Sequence, residues 1–168
     1  MRDACLNNWR LRGACLAALL IPAPALAAGS ANADASMEVL EALQFAVLLD
    51  MDFGQIAVGG AGGTVELNPY TSGRTCDPGI VCVGTYGVSE LQVSGSDADI
   101  QVTFDPTFEL TGPGDPIVAE PQFPGGSGSI VHLTGGSAVV KFGARLHINP
   151  MQMPGSYTGT FAVNLQYF

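Results

Sequence analysis

The 168-residue sequence predicts an all-β chain, an antiparallel β-sandwich of immunoglobulin-like type. Three observations predict it. Short stretches of alternating apolar and polar residues recur along the chain, as strands with one buried face require. Turn signals separate them, drawn from 22 glycines and 11 prolines. The last stretch is the clearest: Phe161, Val163, Leu165 and Tyr167 alternate with Ala162, Asn164 and Gln166. Gly155 and Gly159 precede it as turn and bend signals. With no later segment to pair with that strand, the sandwich is expected to be incomplete, leaving one sheet edge and part of its core open.

Taken in order, the chain opens with Met1, Arg2, Arg10 and Arg12, then the apolar run Ala14–Ile21, then Ala25-Leu26-Ala27. A basic start, a short apolar core and an A-x-A site predict a signal peptide over residues 1–27. The run is far short of the roughly 20 residues that span a bilayer. Residues 28–48 are expected to form an N-terminal extension and 49–168 the sandwich. Small polar residues fill 28–36, a flexible terminus. Met37, Val39, Leu43, Phe45 and Val47 share one strand face, interrupted by Glu41. Met37, Leu40, Gln44 and Val47 also lie near helical spacing, so the period alone leaves strand and helix open for 37–49.

Beyond it, 50–58 reads as a strand with Met51, Phe53 and Ile56 inward, ended by the glycine-rich turn 59–63. That turn lacks the Gly-Lys-Ser/Thr ending of a phosphate loop. Residues 64–68, 91–94, 99–104, 129–133 and 137–148 read as further strands. Residues 70–88 read as a disulfide hairpin or loop. Residues 105–128, with five prolines, read as a loop excursion with short edge pieces at most. Seven to nine strands result.

Formal charge is −9, and removal of residues 1–27 takes away three arginines and one aspartate, leaving about −11 on the mature chain. Such a surface disfavours nucleic acid and anionic membrane. No second apolar run approaches membrane length, so no transmembrane anchor is expected. Cys5 and Cys15 leave with the signal. Cys76 and Cys82 remain, an even pair in an oxidising compartment, and are expected to form a structural disulfide.

Catalytic chemistry finds little support, and no enzyme, cofactor or metal site is expected. His132 and His147 sit in strand readings as outward-facing residues without metal-ligand spacing. Neither Ser127 nor Ser137 completes a nucleophile elbow. Asp97 and Asp99 lack calcium-loop spacing and read as a solvated acidic turn. An outer-membrane barrel is disfavoured, because counting back in twos from Phe168 reaches Gln166, Asn164 and Ala162.

The C-terminus resembles that of chaperone–usher pilus subunits, which end in alternating apolar residues with a penultimate tyrosine and a glycine fourteen residues from the end. Tyr167 and Gly155 occupy those places. More of the chain resembles the secreted, pilin-like DUF4402 family, similar to spore coat U proteins. Leu49 through Ile56 carry this, matching the family's LDFG segment with two residues inserted, together with the end block from Phe142 through Pro154 to Thr160. Phe-Gly-Ala-Arg stands at 142–145 where the family more often has a glycine pair. The resemblance implies a sandwich lacking its final strand, with Gly155, Phe161, Val163, Leu165 and Tyr167 at the open groove. It implies a donor strand, Met37, Val39, Leu43, Phe45 and Val47, that fills a neighbour's groove. The implied partners are a periplasmic chaperone, an outer-membrane usher and like subunits. The implied role is a structural subunit of a pilus or fimbria-like surface fibre, exported through the periplasm to the cell surface. The alternative is a self-contained secreted sandwich, surface or adhesin-like, that binds through 105–128.

Overall fold

The computed structural model describes residues 32–168, and the expected signal peptide lies outside them. Among the described residues there are strands and turns and no helix. Twelve strands form three sheets, every pairing antiparallel.

The long strand β11 (Ser137–Ile148) is the spine. Apolar residues recur at every second place along it. Val140, Phe142, Leu146 and Ile148 point inward and are buried. Lys141, Arg145 and His147 point out, facing Glu90, Glu66 and Glu120 on neighbouring strands. Its first half pairs β6 (Ser89–Ser94), and β6 pairs β1 (Gln44–Leu49). Its second half pairs two strands, one on each edge: β3 (Gly63–Asn68) and β9 (Ile117–Gln122). β4 (Gly73–Cys76) extends the sheet beyond β3, and β8 (Phe108–Leu110) beyond β9. The hand-over falls at Gly143, where a side chain would collide with the Leu67 carbonyl.

Gly95–Ala98 carry the chain from β6 to the second sheet, ordered β10 (Ser129–His132), β7 (Asp99–Phe104), β12 (Val163–Tyr167). The two sheets face each other. Leu91, Val93 and Phe142 of the first meet Ile100 and Val102 of the second. Phe142 stacks on Phe123 with centroids 4.8 Å apart, and Phe104 meets it edge-on at 5.6 Å, geometries that aromatic pairs prefer. A second cluster, around Val65, Ile117 and Leu146, lies under β2 (Gln55–Val58) and β5 (Ile80–Val83), which pair only with each other.

The fold is the predicted all-β sandwich, curled into a half-barrel, with more strands than expected. Residues 105–128 are not a loop excursion: β8 and β9 lie there. Pro121 escapes the penalty of proline in a strand because it falls past the end of the β8 ladder. Residues 70–88 are not one hairpin. β4 pairs β3 and β5 pairs β2, so the Cys76–Cys82 disulfide ties the small sheet to the edge of the large one. The ambiguous 37–49 stretch is a strand from Gln44, set by its ladder to β6, and has no regular structure over 38–43.

Candidate functional site

β7 occupies one edge of β12, and among the described residues nothing pairs with the other edge. β1 is likewise paired on one side only, by β6. Between the two open edges lies a cleft of about 1170 Å³. Its floor is apolar, with Leu91, Phe108, Ile117, Leu146 and Ile148 reaching it from the large sheet.

The β12 wall follows from its alternation. Phe161, Val163, Leu165 and Tyr167 are half-buried against the core, while Asn164 and Gln166 are exposed. Phe161 sits between two rings, 5.6 Å from Phe142 and 5.2 Å from Phe108. Gly159 runs against the Glu109 carbonyl too closely for a side chain. Gly155, at the rim, has φ +155 and lies on the Pro113 ring, where a Cβ would collide. Of the groove residues read from the sequence, Gly155, Phe161, Val163 and Leu165 line the cleft, whereas Tyr167 packs against the core without lining it.

β1 supplies the facing wall. Phe45 and Val47 line the cleft yet remain 65% and 56% exposed. Phe45 and Val47 pair in register with Val93 and Leu91 of their own chain, and Leu43 packs against its own core. The backbone groups of Phe45 and Val47 that face β6 are taken up by that ladder. Of the expected donor residues, Met37 and Val39 stay exposed.

At the end of β12 the chain is held by a clasp. The Tyr167 hydroxyl donates to the Glu41 carbonyl at 2.7 Å and accepts from the Ser96 backbone N–H at 2.7 Å. The Glu41 N–H in turn donates to the Ser96 hydroxyl at 2.8 Å. Gly95 permits this, since a Cβ there would meet the tyrosine oxygen.

One end of the cleft is built by the Asp-Phe-Gly corner and Tyr157. Asp52 exchanges two backbone hydrogen bonds with Gly87, and its carboxylate caps the Gly54 N–H. Arg74 donates to the Phe53 and Val83 carbonyls and lies over the Tyr86 ring. Gly54, at φ +73, leaves room for that guanidinium. The Tyr157 hydroxyl donates to the Met153 carbonyl and accepts from Gly114 N–H and Gln152. Arg74, Tyr157 and the floor from β8 and β9 escaped the sequence reading. Ile117 and Ala119 carry an alternation signal, but it is only three residues long and lies between prolines.

The titratable residues considered earlier lie elsewhere. Asp97 and Asp99 close on His132, with Asp99 on Nδ1 at 2.7 Å and Asp97 on Nε2 at 3.1 Å. The hydrogen bond that the ring makes to the Asp99 carboxylate raises the imidazole pKa above its ordinary value. Among the described residues no group of three or more His, Cys, Asp or Glu side chains is placed to hold a metal ion. Nor is any described helix long and apolar enough to cross a membrane.

A family described as a domain of unknown function, DUF4402, matches residues 43–167. The chain belongs to the DUF4402 family. The DUF4402 match begins one residue before β1 and ends on the last residue of β12. The family domain thus includes both walls of the cleft, and it takes in the residues 43–48 that the sequence reading had given to the extension. No curated protein and no solved structure matches the chain.

Proposed function

We propose that this DUF4402 domain is a structural subunit of an extracellular fibre, assembled when a strand from another molecule fills the cleft between β1 and β12. One observation carries the reading: among the described residues β12 is paired on one edge only, and its other edge lies beside an apolar cleft. An added strand would gain a backbone ladder along that edge and place every second side chain on the floor. Such an edge also invites unwanted pairing. This is the physical reason for a periplasmic chaperone that covers it in transit and an outer-membrane usher that exchanges the cover for a subunit. A contact between unlike surfaces, edge and extension, repeats without closing and builds a fibre.

The donor in this reading is the extension before Glu41. Its sequence suits the task better than the residues first assigned. Ala31, Ala33, Ala35, Met37 and Val39 alternate strictly with Asn32, Asp34, Ser36 and Glu38. Deletion of residues 28–40 leaves every described strand intact and should abolish polymerisation, while a peptide of residues 29–40 still binds the truncated domain. Normal polymerisation of the truncated protein would reject the reading. Leu165→Glu places a charge on the wall and should abolish capture by the chaperone, read as lost periplasmic yield and complex.

A further inference from the structure

The face of the large sheet that points away from the core carries a second concavity, set out by the register of β11. Phe142, Ala144 and Leu146 are buried, so Gly143 and Arg145 between them point outward. Gln122 is opposite Gly143 and Glu66 is opposite Arg145, and residues opposite each other share a face. Asn68 is two residues beyond Glu66 on β3 and shares that face too. Gly143 puts no side chain between Asn68 and Gln122. The space there is bounded by the Leu67 carbonyl and the Pro69 ring. A pocket of about 420 Å³ opens at this place, within the roughly 300–1,000 Å³ of small-ligand sites. It shares no lining residue with the cleft between β1 and β12.

Some of its polar groups are spent on the fold, and others are free. Asn68 Oδ1 accepts from the Tyr70 and Thr71 N–H groups, which fixes the amide and leaves its Nδ2 donor unused. Glu66 Oε2 accepts from Arg145 at 3.1 and 2.7 Å, leaving Oε1 without a partner among the described residues. Gln122 lines the pocket with its amide unpaired among the described residues. The Ser127 hydroxyl is spent, since it accepts from the Phe104 N–H and donates to the Phe104 carbonyl. One carboxylate oxygen and two carboxamides remain. A hydroxyl both donates and accepts, and this set offers it an acceptor and donors side by side.

Tyr70 supplies the apolar part. Its ring is 70% exposed, yet its hydroxyl accepts from the Gly125 N–H at 3.3 Å. The ring is thereby held from the turn after β3 to the turn after β9, a flat apolar surface beside the polar groups. Charge narrows the ligand further. Arg145 offsets the charge of Glu66, so the pocket calls for no cation. The chain's formal charge of −9 disfavours an anion.

We infer that this outer pocket binds a neutral sugar, one ring face on Tyr70 and adjacent hydroxyls on Glu66, Asn68 and Gln122. The site goes beyond the fibre reading and does not rest on it.

Titration of the isotope-labelled mature chain, followed by amide NMR, tests it. The probes are the methyl glycosides of glucose, galactose, mannose and N-acetylglucosamine. Adenosine stands for a flat neutral ligand of another class, and sialic acid for a charged sugar. At least one neutral glycoside should shift the Asn68 and Gln122 side-chain amides and the Gly125 and Gly126 backbone amides, saturably. Gln122→Ala and Tyr70→Ala should each weaken that binding about tenfold. Tyr70→Phe keeps the ring and should retain most of it. Both side chains point outward, so the remaining amide spectrum should show an intact fold in each variant. Absence of a saturable shift with every neutral glycoside overturns the inference. A stronger response to adenosine or to sialic acid overturns it as well. So does full binding in both alanine variants, which would place the sugar elsewhere. The deletion of residues 28–40 that decides the fibre reading removes nothing from this pocket, so the two readings can fail separately.

Discussion

β1 and β12 face each other across the same cleft, yet they are held in different ways. β12 alternates between half-buried and exposed residues, and Phe161, just before it, is wedged between Phe108 and Phe142. All six residues of β1 are exposed, and its register to β6 slips between Val47 and Leu49. One wall is fixed by packing, the other by backbone hydrogen bonds and little else. The difference teaches where adaptation is available. Under the proposed strand filling, an incoming strand would meet a firmly packed edge at β12 and a wall at β1 whose exposed side chains could close over it. The exposed apolar area on Phe45 and Val47 is the surface such closure would bury.

The largest effect expected from breaking this comparison is on the firm wall. Phe161→Ala removes a ring with two aromatic neighbours and should cost about 3 kcal/mol of monomer stability. Phe45→Ala, on a side chain 65% exposed, should cost less than about 1 kcal/mol in the monomer. The order should reverse in assembly: Phe45→Ala weakens subunit association far more than it weakens the fold. Chemical denaturation of the monomer, set beside dissociation of the assembled form, checks both. Equal losses of monomer stability would mean that β1 is packed as firmly as β12.

Next in size is the disulfide. Cys76→Ala with Cys82→Ala should cost about 2 kcal/mol by the loop-entropy estimate. The loss should fall mainly on the tie between the small sheet and the β3–β4 edge. Hydrogen exchange in β2 and β5 should rise while exchange in β6 and β11 holds. Tyr167→Phe keeps the ring and deletes the hydroxyl. Two hydrogen bonds are lost, worth about 1–2 kcal/mol together. The Ser96 amide should lose protection, and residues 38–41 should become more open to protease.

Much of this fold was legible because alternation reports a buried face directly. β11 was read at its full length because Ala138, Val140, Phe142, Ala144, Leu146 and Ile148 recur at every second place, although Val139 breaks the polar side. β12 and its inward residues were read for the same reason. The rest was hidden by kinds of information that local pattern does not carry. β8 and β9 are short and bounded by prolines; β9 becomes a strand because β11 offers it an edge, and β8 because β9 does. The pairing of β4 and β5 with different partners is a tertiary fact, invisible in a stretch that holds two cysteines and turn residues. Leu43, Phe45 and Val47 do alternate with a donor's period. The same pattern serves a strand of the chain's own sheet, and only the ladder to β6 tells the two apart. The clasp could not have been read, since it depends on one hydroxyl meeting a backbone carbonyl far away in sequence.

The smallest effects expected are electrostatic, and they oppose each other in pH. His132 has its pKa raised, first by its hydrogen bond to the Asp99 carboxylate, then by the charges of Asp99 and Asp97. Its stabilisation is fully present below the ordinary histidine value of 6.5 and is lost as pH rises through the higher folded value. Asp77 has its pKa lowered, first by the Thr64 hydroxyl and then by the Thr64 backbone N–H. Its stabilisation is present above the ordinary value of 3.8 and is lost as pH falls through the lower folded value. Both side chains are solvent-facing, so each contribution is small and screened by salt. His132 ties the Asp97–Asp99 turn beside the clasp, whereas Asp77 ties β3 beside the disulfide. Raising pH past the histidine value should therefore loosen amides around 97–99 first, and lowering it past the aspartate value should loosen those around 64 and 77. His132→Gln should erase the first response and leave the second. If the alkaline loosening persists in that variant, some group other than His132 governs that end of the molecule.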